Sequence, residues 1–446
     1  MDASLRKFFY NRCDPSVALA ADQQDDRYVN LDELTPDGDT ARGEDWLDLL
    51  VSRFEFEEQP NTVLFTGLPG SGKSTLLRYV AARLSRSDGA SLLPVILDAE
   101  EYFDTRAEID VTDVRCAVLV AIDKALRALE GAAGADALRE SRFARFWQWF
   151  SGMEVSMKEV EVSGEPFGVG AKIVADMKAS ESIRAEARAR VAKSPKTFLD
   201  KADAVIVEDF VPRAKALNYA GIFVVVDSLE KLRGVSSNWT KVLDSAEQMF
   251  AGGAPDLRLP VHTIYTLPPA LILRLNARVE FLPLLKLVGR DGTRFDLGHR
   301  KARELVERRV PVTQLEALFG ATWERRVDRL IGWSGGHPRQ IMSLLQRFLL
   351  KAPPIPDAVF ERVLGMEGDS YRRVITTSAH PWLAEVEVHH TLRLKTADER
   401  AIADEMFANS IVLRYFNGSE WYGLHPAVRD ADGIREEIAR LRNASP

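Results

Sequence analysis

Cysteine is nearly absent: Cys13 and Cys116 are the only two in 446 residues. Two thiols cannot build a disulfide framework, and without a CxxC pair or a Cys/His cluster the sequence offers no structural zinc site. The chain therefore reads as a reduced, cytoplasmic protein. Long apolar runs are missing as well. Apolar stretches such as Ile222 to Val226 fall far short of the ~20 residues that span a bilayer. The amino-terminal stretch MDASLRKFFYNRCDPSV is charged and lacks the apolar core of a secretory signal. There is no excess of positive charge either. Lys and Arg number 59 against 66 Asp and Glu, a net charge of −7, which argues against a general polyanion binder.

What is present suits a globular protein. Hydrophobic residues make up 46% and charged residues 28%, enough apolar material for a core. At ~150 residues per domain the length suggests about three domains. No internal repeat or low-complexity tract is visible.

The order of patterns along the chain points to an α/β fold. Residues 1–42 are polar and Asp-rich and read as an arm with a short leading segment. Trp46, Leu49, Leu50 and Phe54 recur at helical spacing, which predicts a helix over 43–55. TVLFT (62–66) is a short strand, followed by a glycine-rich loop and a helix over 74–84. Residues 92–97 read as a second strand and 111–129 as an apolar helix. GIFVVVD (221–227), 260–266 and 279–288 are three further strand candidates. Strands alternating with helices predict a parallel sheet with helices on both faces.

Residues 133–215 depart from this alternation and read as an insertion. Phe143, Phe146, Trp147 and Phe150 fall on one helical face, and Trp149 falls elsewhere. VEVSGEPFGVGAKIVADM then alternates like a hairpin around Gly164, and a charged helical pattern covers about 180–214. That hairpin is expected to cover the aromatic face as a small satellite core. The rest of the first domain resumes at 216 and ends near 298. Residues 299–352 read as three helices. Residues 353–430 read as helices followed by a hairpin, IVLRYF and EWYGL about Asn417-Gly418. A polar tail follows from 431.

The strongest chemical signal is Gly67-Leu68-Pro69-Gly70-Ser71-Gly72-Lys73-Ser74-Thr75, which fits GxxxxGK[ST] between a strand and a helix. Its glycines let the backbone wrap a phosphate. Amides from Gly70 onward can donate, whereas Pro69 has none. The helix start adds its positive dipole end. Lys73 would neutralise the β- and γ-phosphates and Ser74 would hold Mg²⁺. The second signal is Asp227, a carboxylate at the end of an apolar strand downstream of such a loop, the type of residue found on the metal side of these sites. Ser228 follows it, and Glu230 is the nearest acid: it reads equally as a group that polarises an attacking water and as plain surface charge.

The loop, the stretch Asp227-Ser228-Leu229-Glu230-Lys231 and the run Ser334-Gly335-Gly336-His337-Pro338-Arg339 together resemble AAA+ or STAND-type ATPases. The subgroup most similar is that of the origin-recognition initiators, with a winged-helix domain after the lid. The resemblance covers about residues 27–428 without the insertion. It implies a five-stranded parallel sheet, a helical lid, and ATP with Mg²⁺ as ligands. It implies that Thr266, at a strand end, senses the γ-phosphate, and that Arg339, expected at the start of the third lid helix, touches the phosphates. Arg274 and Arg278 stand where the family places a trans-acting arginine, and both can equally be solvated helix residues. The implied function is an ATP-binding switch with slow hydrolysis. Its state would reach a protein partner through the winged helix or the insertion, in a setting such as prokaryotic signalling or defence. The alternatives are a DNA-bound loader and a nucleotide-binding scaffold without turnover.

DNA binding is driven mainly by phosphate neutralisation. From Pro353 to Pro446 there are 15 acidic and 11 basic residues, a net of −4, so the region is a poor candidate. Arg414, Tyr415, Trp421 and Tyr422 of the hairpin are expected to pack on neighbouring helices, with His425 and Pro426 closing the domain. A homo-oligomer is compatible with the sequence; a membrane role is not expected.

Overall fold

The computed structural model describes all residues except 22–24, 132–140, 153–167, 233–237 and 445–446. The chain forms two compact units. One comprises Leu50–Thr66 and Val80–Glu280; the other comprises Met1–Leu49, Gly67–Tyr79 and Phe281–Pro446.

The first unit is built on a sheet. Strands β1 (Thr62–Gly67), β2 (Leu92–Asp98), β3 (Gly221–Asp227), β4 (His262–Thr266) and β5 (Val279–Leu282) lie in the order β2-β3-β4-β1-β5. β2 pairs with β3, β3 with β4 and β4 with β1, all in parallel. β3 is buried along nearly its whole length, as expected for a central parallel strand with both faces covered. The register brings several strand ends to one edge: Asp98 lies beside Asp227, and Phe65 beside Thr266. Ligands of open α/β sheets bind at this carboxyl edge. β5 is shorter than the 279–288 expected. Pro283 has no amide hydrogen to continue the ladder.

The helix Val111–Glu130 carries an apolar face into this unit's core. Its buried Arg115 donates to the Asp256 and Arg258 carbonyls at 2.9 and 2.8 Å. The helix Arg142–Ser151 starts on a Ser141 side-chain cap. Its rings at positions 143, 146, 147 and 150 are buried, while Trp149 is exposed. Their partner is not a hairpin. Gly168 leads into a helix, Val169–Ala179, whose buried Gly170, Val174 and Met177 follow helical spacing; the other half of the expected hairpin lies outside the described residues. The apolar residues of 169–177 fit both periods, and packing selected the helical one. A Cβ on Gly170 would fall 2.4 Å from the Trp147 ring nitrogen. Phe198 and Phe210 complete the cluster. The charged pattern after 180 is not one helix: Pro195 starts a second, Pro195–Val205, and a wide π turn over Ile206–Phe210 precedes Pro212. Proline has no amide hydrogen and crowds the carbonyl four residues earlier, and a wider turn relieves both.

The second unit is mostly helical. Between residues 296 and 349 there are four helices rather than three: Asp296–Glu307, Val312–Phe319, Trp323–Trp333 and Pro338–Leu349. Arg339 therefore begins the fourth. The break that sequence periodicity missed is a turn at Gly320–Thr322. The amino-terminal segment is not a loose arm. It forms a helix, Ala3–Arg12, and buries Phe9 and Cys13 in this unit's core. Further helices run over Asp357–Arg372, His380–His389, Ala397–Ala408 and Asp432–Ala444. β6 (Val412–Phe416) and β7 (Glu420–Leu424) form the antiparallel hairpin, with Gly418 at a φ of 72° in its turn. No helix among the described residues is long and apolar enough to cross a membrane.

Candidate phosphate-binding site

Around the loop after β1, the second unit collects a glycine turn, a buried lysine, a neutral histidine and a buried ion pair. Gly70 and Gly72 have φ values of 88° and 99°, conformations that non-glycine residues rarely adopt. The Ser71 amide closes a turn on the Leu68 carbonyl at 3.0 Å. Successive amides in such a turn form an anion-binding concavity. Lys73 opens the helix Lys73–Leu84 and is only 2% exposed. Its Nζ donates to the Gly67 and Leu68 carbonyls at 2.9 and 3.2 Å. Ser71 is fully buried, and its hydroxyl has no hydrogen-bond partner among the described residues. Ser74 is half-buried at the helix start. The Thr75 hydroxyl accepts from the Leu19 amide at 3.3 Å.

The Gly-Gly-His-Pro turn abuts this loop. The Arg339 amide donates to the Gly70 carbonyl at 3.3 Å. A Cβ on Gly70 would meet the Arg339 side chain at 2.5 to 2.7 Å, so this position has no room for a larger residue. The turn needs its own glycines. Gly336 has a φ of 79°, and a Cβ there would lie 2.0 Å from the Leu285 carbonyl oxygen. His337 caps the following helix by accepting from the Gln340 amide at 3.4 Å. It also bonds the Pro69 backbone. Burial, and then the positive charges of Arg339 and Lys73, lower its pKa to about 4. It is therefore a neutral strut between loop and turn.

The pair Asp32 and Arg42 has no signature in the sequence. Both are buried, Arg42 forks onto the two Asp32 oxygens at 2.6 Å each, and its third nitrogen donates to the Ser71 carbonyl at 3.1 Å. Tyr28 stacks on Tyr79 at 3.7 Å, and the Ala18 carbonyl accepts from Arg78. The segment read as an arm thus lines the loop and its helix. Nothing in an Asp-rich polar stretch singles out one Asp–Arg pair ten residues apart.

The remaining predicted residues belong to the sheet unit. Asp227 is 6% exposed at the end of β3, and one of its oxygens accepts from the Ser228 amide at 2.8 Å. Ser228 takes a left-handed conformation, with a φ of 66°. A short 3₁₀ turn, Leu229–Lys231, carries the half-buried Glu230. The Thr266 hydroxyl donates to the Val226 carbonyl at 3.3 Å and accepts from the Leu229 amide at 3.1 Å. It thereby fastens the turn behind Asp227. Arg274 is ion-paired with Asp244 and Glu247, and the largely exposed Arg278 with Glu280. Neither lies in an α-helix.

In the hairpin, Tyr415, Trp421 and Tyr422 are buried, and Arg414 lies over the Phe281 ring at 4.1 Å. Those aromatics pack inward rather than face a nucleic acid. His425 is fully buried and stacks on Tyr371 at 4.1 Å.

The loop fits a nucleotide's phosphates: a glycine concavity, a buried ammonium and an unpartnered buried hydroxyl meet at one helix start. For a cation, no group of three or more His, Cys, Asp or Glu side chains that could hold a metal ion occurs among the described residues. A phosphate-bound Mg²⁺ needs only one or two carboxylates.

No family model matches the chain, and no curated protein matches it. Among solved structures, it is similar to the ORC2 protein of Aeropyrum pernix in ADPNP-ADP complexes. That likeness has 9% identity and a TM-score of 0.36, covering 89% of this chain and 94% of that one. It is also similar to Drosophila ORC bound to DNA, with 12% identity and a TM-score of 0.35, covering 97% of this chain and 91% of that one. Likeness this low supports no statement about function.

Proposed function

We propose that the protein binds ATP at Gly67–Thr75 and hydrolyses it slowly with Mg²⁺. In this reading Ser74 and Asp227 hold the cation, and Glu230 polarises the attacking water. The loop itself carries the reading: a phosphate-loop motif whose glycines adopt the left-handed turn, around a lysine already buried among backbone carbonyls. Bound nucleotide supplies the phosphates that such a lysine neutralises.

The second part of the proposal is a switch. Arg339 packs on Gly70 and begins the helix Pro338–Leu349 against the helix dipole. The Tyr415 hydroxyl donates to the Gly335 carbonyl at 2.6 Å, which ties the hairpin to the same turn. A γ-phosphate that engages Arg339 would thus be felt at the hairpin. Residues 353–430, the helices together with this hairpin, are taken as a winged helix that reports to a protein partner. Its net charge of −4 between Pro353 and Pro446 disfavours duplex DNA.

Hydrogen exchange across residues 338–349 and 412–424 tests the switch. A non-hydrolysable ATP analogue should protect these segments more than ADP does, and Arg339→Ala should abolish the difference while ADP still binds. Equal protection by both nucleotides in the wild type would leave a static nucleotide-bound scaffold.

A further inference from the structure

Arg42 is 4% exposed and Asp32 2%. Their pairing is bidentate, and it leaves Arg42 Nη1 on the Ser71 carbonyl at 3.1 Å. The chain on either side of Arg42 is fixed. The Ala41 carbonyl accepts from the Lys286 amide at 2.9 Å. Gly43 has a φ of 88°, and a Cβ there would fall 2.5 Å from the Phe416 ring. The backbone on either side of Arg42 is thus held against the segment after β5 and against Phe416 of the hairpin.

A buried ion pair is weak evidence of stabilisation, because apolar residues of the same volume often serve as well. The third contact is the informative one. The Ser71 carbonyl and the Gly72 amide belong to one peptide unit. A charged donor on the carbonyl draws electron density from that unit and makes its N–H a stronger donor. Gly72 sits in the left-handed turn, where the loop amides form the anion concavity.

We propose that Arg42 is a positioning residue for phosphate binding: it holds and polarises the Ser71–Gly72 peptide so that the Gly72 amide meets a nucleotide phosphate. Asp32 locks the guanidinium in that pose. The assignment rests on the ATP reading of the loop.

The test uses the full-length protein, with ATP affinity by calorimetry and the melting temperature measured for each variant. Arg42→Lys can keep the pair with Asp32 but cannot also reach the carbonyl with a planar fork. It should melt close to the wild type and bind ATP roughly tenfold to a hundredfold more weakly. Arg42→Ala should bind at least as weakly. Lys73→Ala serves as the reference for loss of the loop itself. If both Arg42 variants bind ATP like the wild type while Lys73→Ala does not, the ATP reading stands and the Arg42 assignment falls. If affinity merely follows melting temperature across the variants, or Arg42→Lys does not fold, Arg42 is a fold residue and the assignment also falls. If the wild type binds no ATP, both fall.

Discussion

At the scale of single residues, burial decides what His337 and His425 can do. Burial lowers His337 to about 4 and His425 to about 3. Both are neutral in the folded protein and would protonate near 6.5 in the unfolded chain. Below that value the unfolded chain takes up more protons, so stability falls as the pH drops from about 6.5 toward 4. For His337 the whole window corresponds to about 3 kcal/mol. Urea midpoints between about pH 7 and pH 5 should fall steadily, and His337→Gln should flatten that slope. A midpoint unchanged over the range would show that His337 is not held neutral by its surroundings. The family resemblance singled out the Gly-Gly-His-Pro run, but neutrality depends on how deeply the imidazole is buried, which no local pattern records.

At the scale of elements, the turn before Pro338–Leu349 is set by two glycines with no tolerance for a side chain. Gly336→Ala combines a positive φ with a 2.0 Å approach to the Leu285 carbonyl. It should destabilise by about 3 kcal/mol or more. Gly365 is a useful contrast, exposed within the helix Asp357–Arg372 with nothing near its Cβ position. Gly365→Ala should stabilise by up to ~1 kcal/mol. Chemical denaturation of the two variants reads both signs, and a neutral Gly336→Ala would mean that the turn can relax. Elements with one unambiguous period were legible in the sequence. GIFVVVD became a central strand, and Phe143, Phe146, Trp147 and Phe150 a buried helical face. Val169–Ala179 was misread because its apolar residues satisfy both periods, and only the approach of Gly170 to Trp147 shows which one the packing uses. The extra helix between residues 296 and 349 was hidden because periodicity does not mark the turn at Gly320–Thr322.

At the scale of the whole molecule, the parallel sheet and the glycine turn between β1 and its helix could be read from the chain. The company the loop keeps could not. Asp32, Arg42, Tyr28 and Leu19 come from a polar segment with no periodic signal, and they reach the loop through contacts between residues far apart in sequence. The central claim remains that Gly67–Thr75 is an ATP site built around Lys73. Calorimetric titration of ATP with Mg²⁺ into the wild type and into Lys73→Ala tests it most directly, with the melting temperature of each protein as the control for folding. Saturable one-site binding by the wild type, and its loss in a variant that still melts like the wild type, is the predicted result. Equal binding by the two folded proteins would place the nucleotide elsewhere and contradict the account.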